Sequence, residues 1–595
     1  IVITRLIFPN YGTSIDDSIG ITATDTLWES IRYIYTYDSI GVIVHTQVTH
    51  IDSTLIISDL TYYKRYPMAF QIMSFVTPYG GWLDLGSNGK TWYFDVTDFT
   101  PILQGNKRIT VSGGGQWQED MDIKFLFIVG TPPRDVIDMQ QIWRPQSKGY
   151  EIIMAEKVFE PRNVEMHSGA SQYKIRTVIT GHGQEGEFIP QSHYLNIDGG
   201  TQEYLWQVWT ECSDNPIYPQ GGTWIYDRAG WCPGKPSDLR EDDITSLVSP
   251  GQVHNIDYGV SNAIGNSNYW VSSQLVSYGT PNFNLDVSVI DVLSPTNKAK
   301  YLRTNPICSK PLVLIQNTGS DLLTSLTIEY WINNTSIRET FSWTGNLAFL
   351  EKEIVELPSP SSLWQSQTIG NNIFYVEIKD PNGSVDQYIY NNYINSPFTP
   401  APTYPNFFGL CVQTNSGTSL PFISETSWDI YDDQGNTMYT SGTLSWGTIY
   451  RDTIQLNNGC YRFVMTDTDD DGLDFWANND GSGMVTFVTN PISCNSVPVK
   501  IFDPDFGRYI IHEFTIATLT SIGEKTDNDW KIYPNPTNEF VIVEGIVDAV
   551  TDIIVTNILG ENIQKHTIRT NGKFSKEIIL SPYPKGMYFI KLQNP

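Results

Sequence analysis

An all-β chain of several domains is what this sequence predicts, and three observations carry that reading. Apolar and polar residues alternate in short runs broken by Gly, Pro, Asp and Asn, the period of half-buried strands. Helical periodicity is weak throughout. Aromatic residues make up 13% of the chain, with 33 Tyr against 26 Phe, and such residues favour strands. At 595 residues the chain exceeds what one hydrophobic core organises, so several domains are expected.

Composition narrows the partners. Lys and Arg number 37 against 65 Asp and Glu, a formal charge of −28. That balance disfavours nucleic acid and anionic membranes and suits cation binding. No apolar run of about 18 residues occurs, so no transmembrane helix is read. The chain opens without a signal-peptide pattern and reads as a mature form. Six cysteines are too few for a disulfide-built scaffold and suit an exported protein with one or two staples. No Cys/His spacing resembles a zinc site, and there is no nucleotide-binding glycine loop or G-x-S-x-G elbow.

In chain order, residues 1–150 carry alternating runs such as Thr54–Ser58 and Lys124–Val129 and suit a sandwich or jelly roll. Residues 151–290 form a second β-rich unit, in which Tyr173–Gly183 is a strand entering a Gly/His loop. In 291–400, Leu312–Gly319 and Leu326–Ile332 alternate cleanly and Asn333-Asn334 marks a turn; this stretch resembles an Ig-like adhesion-type module. The Pro-rich segment Pro397–Pro405 reads as a linker. Residues 401–522 are a further β-sandwich with an acidic turn, Asp467-Thr468-Asp469-Asp470-Asp471-Gly472. Five carboxylates lie between positions 467 and 474 and repel one another unless solvated or bound to a cation. The D-x-D-x-D-G spacing fits the start of a calcium loop, with Asp467, Asp469, Asp471 and Asp474 as candidate ligands of a structural Ca²⁺. Asn478 stands where an EF-hand needs Glu, and no flanking helices are read.

The most informative stretch is Glu211–Gly234. Asn215-Pro216, Gly221-Gly222 and Pro233-Gly234 are breakers, and a long loop rich in tryptophan (Trp209, Trp224, Trp231) is ordered rather than disordered, either a functional loop or a stapled structural one. Cys212 and Cys232 could staple it, which is worth roughly 3 kcal/mol in the chain-entropy account. Asp227, Arg228 and Trp231 put a carboxylate, a guanidinium and an aromatic plate together, suitable equipment for a sugar or an amide.

The run Asp227-Arg228-Ala229-Gly230-Trp231-Cys232-Pro233-Gly234, with Cys212-Ser213-x-Asn215-Pro216-Ile217 before it, resembles peptide-N-glycosidase F, an amidase that removes N-linked glycans. Phe75-Val76-Thr77-Pro78-Tyr79, Asp95-Val96-Thr97-Asp98-Phe99 and Gly130-Thr131-Pro132 resemble its first domain in order and spacing. The resemblance covers about the first 290 residues. It implies two adjacent jelly rolls, 1–150 and 151–290, with an active site at their interface, and it implies a Cys212–Cys232 disulfide. Among the other cysteines the expectation is a bond within Cys411, Cys460 and Cys494, with Cys308 free. The terminal segment 523–595, with Tyr533-Pro534-Asn535-Pro536 and Gly586-Met587-Tyr588, resembles the carboxy-terminal sorting domain of the type IX secretion pathway of Bacteroidetes, a small β-sandwich. That implies a secreted or cell-surface protein whose partners include the export machinery.

The resemblance also implies chemistry. A glycan–asparagine amidase needs an activated water and a proton donor for the leaving amine, which two carboxylates in different environments supply. The family's principal Asp falls at Asp52 and its assisting Glu at Glu187. Arg228, Trp231, Asp227 and His193 are expected around the substrate, an N-glycoprotein or glycopeptide. The match departs from the family at several places. Ile51 and Ser53 flank Asp52 in place of Trp and Arg. Phe188 and Gln191 replace a tryptophan and an arginine, and flanking cysteines are missing. A third family acid falls near Ser112, with Glu119 as substitute. Catalysis needs no cofactor in this reading. The alternative is a degenerate relative serving as a glycan-binding or scaffold part of a cell-surface complex.

Overall fold

The structure, a computed structural model, describes residues 23–57 and residues from 69 onward. Within the latter it leaves out 81–82, 84, 87–88, 114–120, 263, 369, 417–422, 518–530, 548–549, 558–560, 570–571 and 594–595. The expected all-β class is what it shows, with only short helical turns among the described residues. The chain divides into two compact units, 1–516 and 517–595.

Strands β1 (Ala23–Tyr37) and β2 (Ile43–Ile57) form a long antiparallel hairpin. Asp52 is in β2, opposite Glu29 in the register, and its side chain lies outside the described residues. Glu119 also lies outside them. The run Lys124–Val129, read as a strand, pairs in a ladder with none of the described residues; Phe127, Ile128 and Val129 are exposed. The segment Asp95–Phe99 is instead a docking element. Phe99 is buried against Met139, Val276 and Tyr278. Asp98 accepts from Arg176 (2.8 Å), Lys174 (3.0 Å) and Tyr278 (2.6 Å). Burial alone would raise the Asp98 pKa, but Lys174, Tyr278 and Arg176 together hold it below the ordinary value.

The second region is a two-layer sandwich. Its strands are β3 (Arg134–Gly149), β4 (Arg162–Glu165), β5 (Gln172–His182), β6 (Gln191–Ile197), β7 (Tyr204–Val208), β8 (Leu239–Asp243), β9 (Val253–Val260) and β10 (Asn268–Pro281). One sheet runs β3-β10-β5-β8 and the other β4-β9-β6-β7. Alternation explains the layers: on β6, positions 191, 193, 195 and 197 are buried and 192, 194 and 196 less so, as a period of two requires. Leu195, Ile197, Ile175, Ile179 and Val271 fill the space between the sheets.

Residues 287–398 form another sandwich, of β11 (Val287–Ser294), β12 (Leu312–Asn317), β13 (Leu323–Ile332), β14 (Glu339–Leu347), β15 (Lys352–Glu356), β16 (Asn372–Lys379) and β17 (Tyr393–Phe398). The sheets are β11-β12-β15 and β14-β13-β16-β17, packed through Val313, Ile315, Ile328 and Phe374. Here Asp286 meets Asp386 inside the protein. Asp286 is fully buried and accepts from Thr318 and from Asn391 (3.0 Å). Burial, then hydrogen bonding to Asp386, raises its pKa. The folded state therefore holds a proton that the unfolded chain releases. The associated stability is full below the ordinary carboxylate pKa of about 4 and is lost as pH rises through the raised folded value. Asp286→Asn, which keeps an acceptor for Thr318 and gains a donor toward Asp386, should raise the melting temperature at pH 8 and leave it nearly unchanged at pH 4. An equal shift at both pH values would refute a titrating origin.

Residues 403–516 make a sandwich of a five-stranded and a four-stranded sheet, with Phe408, Phe463, Phe487 and Phe514 at its centre. The expected linker 397–405 is not a free connector. Phe398 is buried in one sandwich, Tyr404 is buried in the next, and Thr403–Tyr404 pairs in parallel with Thr515–Ile516. Proline leaves carbonyls free to accept, and Pro397 O and Pro402 O take bonds from Asn297 N and Thr515 N. The cysteine expectation needs correction as well. Cys308 is not free: it is bonded to Cys460, while Cys411 pairs with Cys494. Cys460 lies at the start of the interior strand Gly459–Asp467. There the buried Glu513 accepts from Cys308 N (2.8 Å), Ser309 N (3.0 Å) and Arg462 Nε (2.9 Å), so the two sandwiches share a covalent and charged seam.

The 517–595 unit is small. Lys531–Tyr533, Phe540–Val547 and Gly572–Ile579 make one three-stranded sheet. Thr551–Asn557, Asn562–Ile568 and Tyr588–Gln593 make the other, and Val541, Val543, Ile553, Val555 and Ile578 lie between them.

Candidate active site

The site is built where loop 211–237 lies against the end of β5 and against residues 74–79. Strand β5 ends at His182, and Gly183 turns the chain at φ +81° with Asn266 O only 2.2 Å from where a Cβ would stand. Only glycine fits there. The turn releases a short helix, Gln184–Phe188, that carries Glu187. The returning loop is locked to it: Ala229 N donates to Glu187 O (3.0 Å) and Gly181 N donates to Ala229 O (2.8 Å). Gly230, at φ +78°, lets the loop pass over Ile179 O, which a Cβ would approach to 2.1 Å. The Cys212–Cys232 disulfide is present as expected. Asp227 caps the loop entry by accepting from Cys212 N (2.9 Å).

Arg228 is the hub. It is 1% exposed. Its Nε donates to Glu187 Oε1 at 3.0 Å, its Nη2 to Thr223 O (2.8 Å) and Thr223 Oγ1 (2.9 Å), and its Nη1 to Tyr226 O. Its guanidinium carbon lies 5.0 Å from the Trp231 ring, 5.2 Å from Phe188 and 5.7 Å from Tyr79. Cation–π contacts of this kind are worth about 0.5–2 kcal/mol each when desolvated. Trp231 is buried and donates Nε1–H to Gly181 O (3.1 Å). His182, more exposed, stacks on it at 6.0 Å, and burial lowers the His182 pKa. Glu187 is 20% exposed at its side chain. Burial raises its pKa, and Arg228 opposes that rise through a hydrogen bond and its charge. The result is a reachable carboxyl, poised between proton donor and acceptor, on a rigid support.

Three of the expected substrate contacts change role. Arg228, expected to hold a sugar, has Nε, Nη1 and Nη2 all engaged by protein acceptors and positions Glu187 instead. Trp231 lies in the loop's packed interior with its donor used, because it forms part of the aromatic cage around that guanidinium. His193 is not at the site. It is fully buried on the inward face of β6, where Nδ1 lies 2.9 Å from Tyr258 OH and the ring meets Tyr269 edge-on at 4.6 Å. Burial pushes its pKa down to about 3, so it is neutral. Asp227 is partly exposed at the loop mouth, and burial raises its pKa.

Tyr79, the last residue of the Phe75–Tyr79 motif, joins the site although the sequence alone does not mark it as a site residue. Residues 74–79 run along the loop: Gly234 N donates to Val76 O (2.8 Å), Val76 N to Lys235 O (3.1 Å) and Gly221 N to Tyr79 O (2.6 Å). Tyr79 N donates to Gln220 Oε1 (2.9 Å). Burial raises the Tyr79 pKa while Arg228 lowers it. Two motifs about 150 positions apart thus meet at one carboxyl–guanidinium pair.

This arrangement defines a β-sandwich protein with a loop-borne carboxyl–guanidinium site. Residues 149–276 match the family profile described as "Peptide-N-glycosidase F, C terminal", and residues 531–595 match "Secretion system C-terminal sorting domain". The chain thus carries a region similar to the carboxy-terminal domain of peptide-N-glycosidase F and a terminal segment that matches a sorting domain, which indicates type IX secretion to the cell surface or the extracellular space. Among curated proteins it is similar to peptide-N(4)-(N-acetyl-β-D-glucosaminyl)asparagine amidase F of Elizabethkingia miricola. The two are 26% identical over 211 residues, 32% of this chain and 57% of that relative. A solved structure of PNGase F from Flavobacterium meningosepticum, described as a glycosylasparaginase, is 22% identical (TM-score 0.22), covering 26% of this chain and 55% of that one. A crystal structure of peptide-N(4)-(N-acetyl-β-D-glucosaminyl) asparagine amidase is 26% identical (TM-score 0.19), covering 20% and 43%. The chain spans little more than half the length of the curated relative it matches. No helix among the described residues is long and apolar enough to cross a membrane.

Proposed function

We propose that this protein is an exported amidase that hydrolyses the amide joining an N-linked glycan to asparagine. The observation that carries the reading is the Glu187–Arg228 pair. A partly exposed carboxyl with a raised pKa sits at the seam between the two motif-bearing segments and is held from behind by a buried guanidinium. Water would add to the side-chain carbonyl carbon, the C–N bond would break, and the departing glycosylamine would take a proton, leaving aspartate in the peptide. Asp52 is the proposed principal acid/base and Glu187 the assisting group. Asp227, at the loop mouth, is the remaining candidate for a polar contact to substrate.

The test is glycan release from a glycopeptide by the wild type and by Asp52→Asn. Release that falls at least 100-fold in Asp52→Asn supports the assignment, as expected for loss of a general acid/base. Undiminished release by that variant refutes the role of Asp52, and no release by the wild type refutes the activity.

One observation favours a second reading, a glycan-binding or scaffold component of a surface complex. The loop 211–234 is clasped by the 403–516 sandwich: Trp476 Nε1 donates to Gly222 O (2.6 Å), Phe475 packs on Trp224, and Arg508 bridges Glu211 and Asp470. Tight glycopeptide binding without release would select it.

A further inference from the structure

We infer that the 403–516 sandwich binds one calcium ion through Asp467, Asp471, Glu425, Asp480 and Asn415, and that this ion stiffens the clasp on loop 211–234. The acidic turn alone does not make the site. Of the four alternating ligands expected, Asp469 is exposed, and Asp474 turns away to accept from Ser482 Oγ (2.8 Å). Asp470 at φ +67° and Gly472 at φ +79° fold the turn sharply, so alternate residues do not converge. Asp467 and Asp471 point inward instead, 3% and 5% exposed, and other segments complete the cluster. Carboxylate oxygens of Glu425, Asp471 and Asp480 all lie within 4.8 Å of one another.

The hydrogen bonding shows which oxygens are left for a ligand. Asp467 Oδ1 accepts from Asp469 N (3.1 Å) and Asp471 N (3.2 Å), while its Oδ2 is buried with no partner. Asp471 Oδ2 accepts from Asn478, while its Oδ1 is buried and unpartnered. Asp480 Oδ2 accepts from Asn415 Nδ2 (2.9 Å), while its Oδ1 is buried and unpartnered. The Asn415 amide bridges Glu425 Oε1 (2.9 Å) and Asp480, is 2% exposed, and has its own Oδ1 unpartnered. Each of these three aspartates is therefore oriented by an N–H on one oxygen and leaves the other bare. Second-shell bonds orient metal ligands in this way. No Lys or Arg is ion-paired to any of the four carboxylates among the described residues. Burying such a group without a cation is costly. An all-oxygen set with several carboxylates suits a hard divalent ion, and its irregular geometry suits calcium better than magnesium.

The cluster also reaches the loop. Between Asp471 and Asp480 the chain carries Phe475, packed on Trp224 and Ile225, and Trp476, which donates to Gly222 O. Asp470 pairs with Arg508, which also holds Glu211. Fixing both ends of 471–480 on one ion fixes the clasp.

The experiment is calorimetric titration of calcium into chelator-treated full-length protein, with thermal melts and amide exchange measured in parallel. The expected result is one site, a higher melting temperature with calcium, and at least tenfold slower exchange in 211–234. Asp480→Asn should weaken calcium binding at least tenfold and raise the calcium-free melting temperature, because it removes a half-buried carboxylate that has no cationic partner among the described residues. A merely structural aspartate would not show that second effect. Asp474→Asn should bind calcium like the wild type. Absence of binding heat and of a melting shift in the wild type, or equal calcium responses in wild type and Asp480→Asn, would overturn the inference.

Discussion

Glu187→Gln is expected to lower glycan release by two to four orders of magnitude while leaving the melting temperature close to that of the wild type. Positioned general acid/base groups contribute about 10²–10⁴-fold, and Glu187 is the partly exposed carboxyl bonded to the Arg228 guanidinium. The substitution is close to isosteric. Glutamine Oε1 can still accept from Arg228 Nε, so the aromatic cage and the loop have no reason to move. What is lost is a proton that can be given or taken. If Glu187 donates to the leaving amine, wild-type activity falls as pH rises through its raised pKa, and that limb disappears from the residual profile of the variant. Kinetics on a glycopeptide, with melting curves on the same samples, separate the outcomes. Retained activity would remove Glu187 from the reaction, and a collapse in stability would make it a structural partner of Arg228.

Arg228→Met is expected to damage the fold as well as the reaction. The guanidinium is nearly fully buried, and its removal strips partners from Glu187, Thr223 O and Tyr226 O together. Removing one member of a buried pair typically costs about 3–5 kcal/mol. Since Arg228 lowers the Glu187 pKa against the effect of burial, its loss should push that pKa higher and move the falling, high-pH limb of any residual activity to higher pH. The double variant Glu187→Gln/Arg228→Met should be more stable than Arg228→Met alone, because a neutral amide tolerates the vacated environment better than a carboxylate. Denaturant melts of the four proteins give the coupling energy, with additivity expected only if the two residues do not interact. Additive effects would refute the pair as a unit. Arg228→Lys should not rescue it, since an ammonium cannot reproduce donors at Nε, Nη1 and Nη2 in one plane.

The legible part of this protein lies where local pattern carries the information. Period-two alternation read in Leu312–Gly319 is borne out as alternating burial over Leu312–Asn317, and that read in Leu326–Ile332 holds as far as Tyr330, because adjacent residues of a strand must face opposite sides whatever the tertiary context. The loop Asp227–Gly234 was legible for a similar reason. Its glycines and prolines describe a particular backbone path, and Gly230 proves to pass over a carbonyl that tolerates no Cβ.

What was not legible depends on residues distant in sequence. His193 looked available beside a motif, but one step of strand phase turned it into the core against Tyr258 and Tyr269. The sequence by itself determined the all-β class, the breaker-rich loop and the sorting tail, since each is written in nearby residues, whereas the pairing of Arg228 with Glu187 came from the fold. Only the tertiary structure decided that Tyr79 backs the guanidinium, that Cys308 reaches Cys460 across 152 positions, and that Glu425, Asn415 and Asp480 join two of the aspartates of one acidic turn. Those contacts are set by which sheet packs on which. Burial free energy depends on the area removed from water, not on separation along the chain, so local spacing carries no record of it.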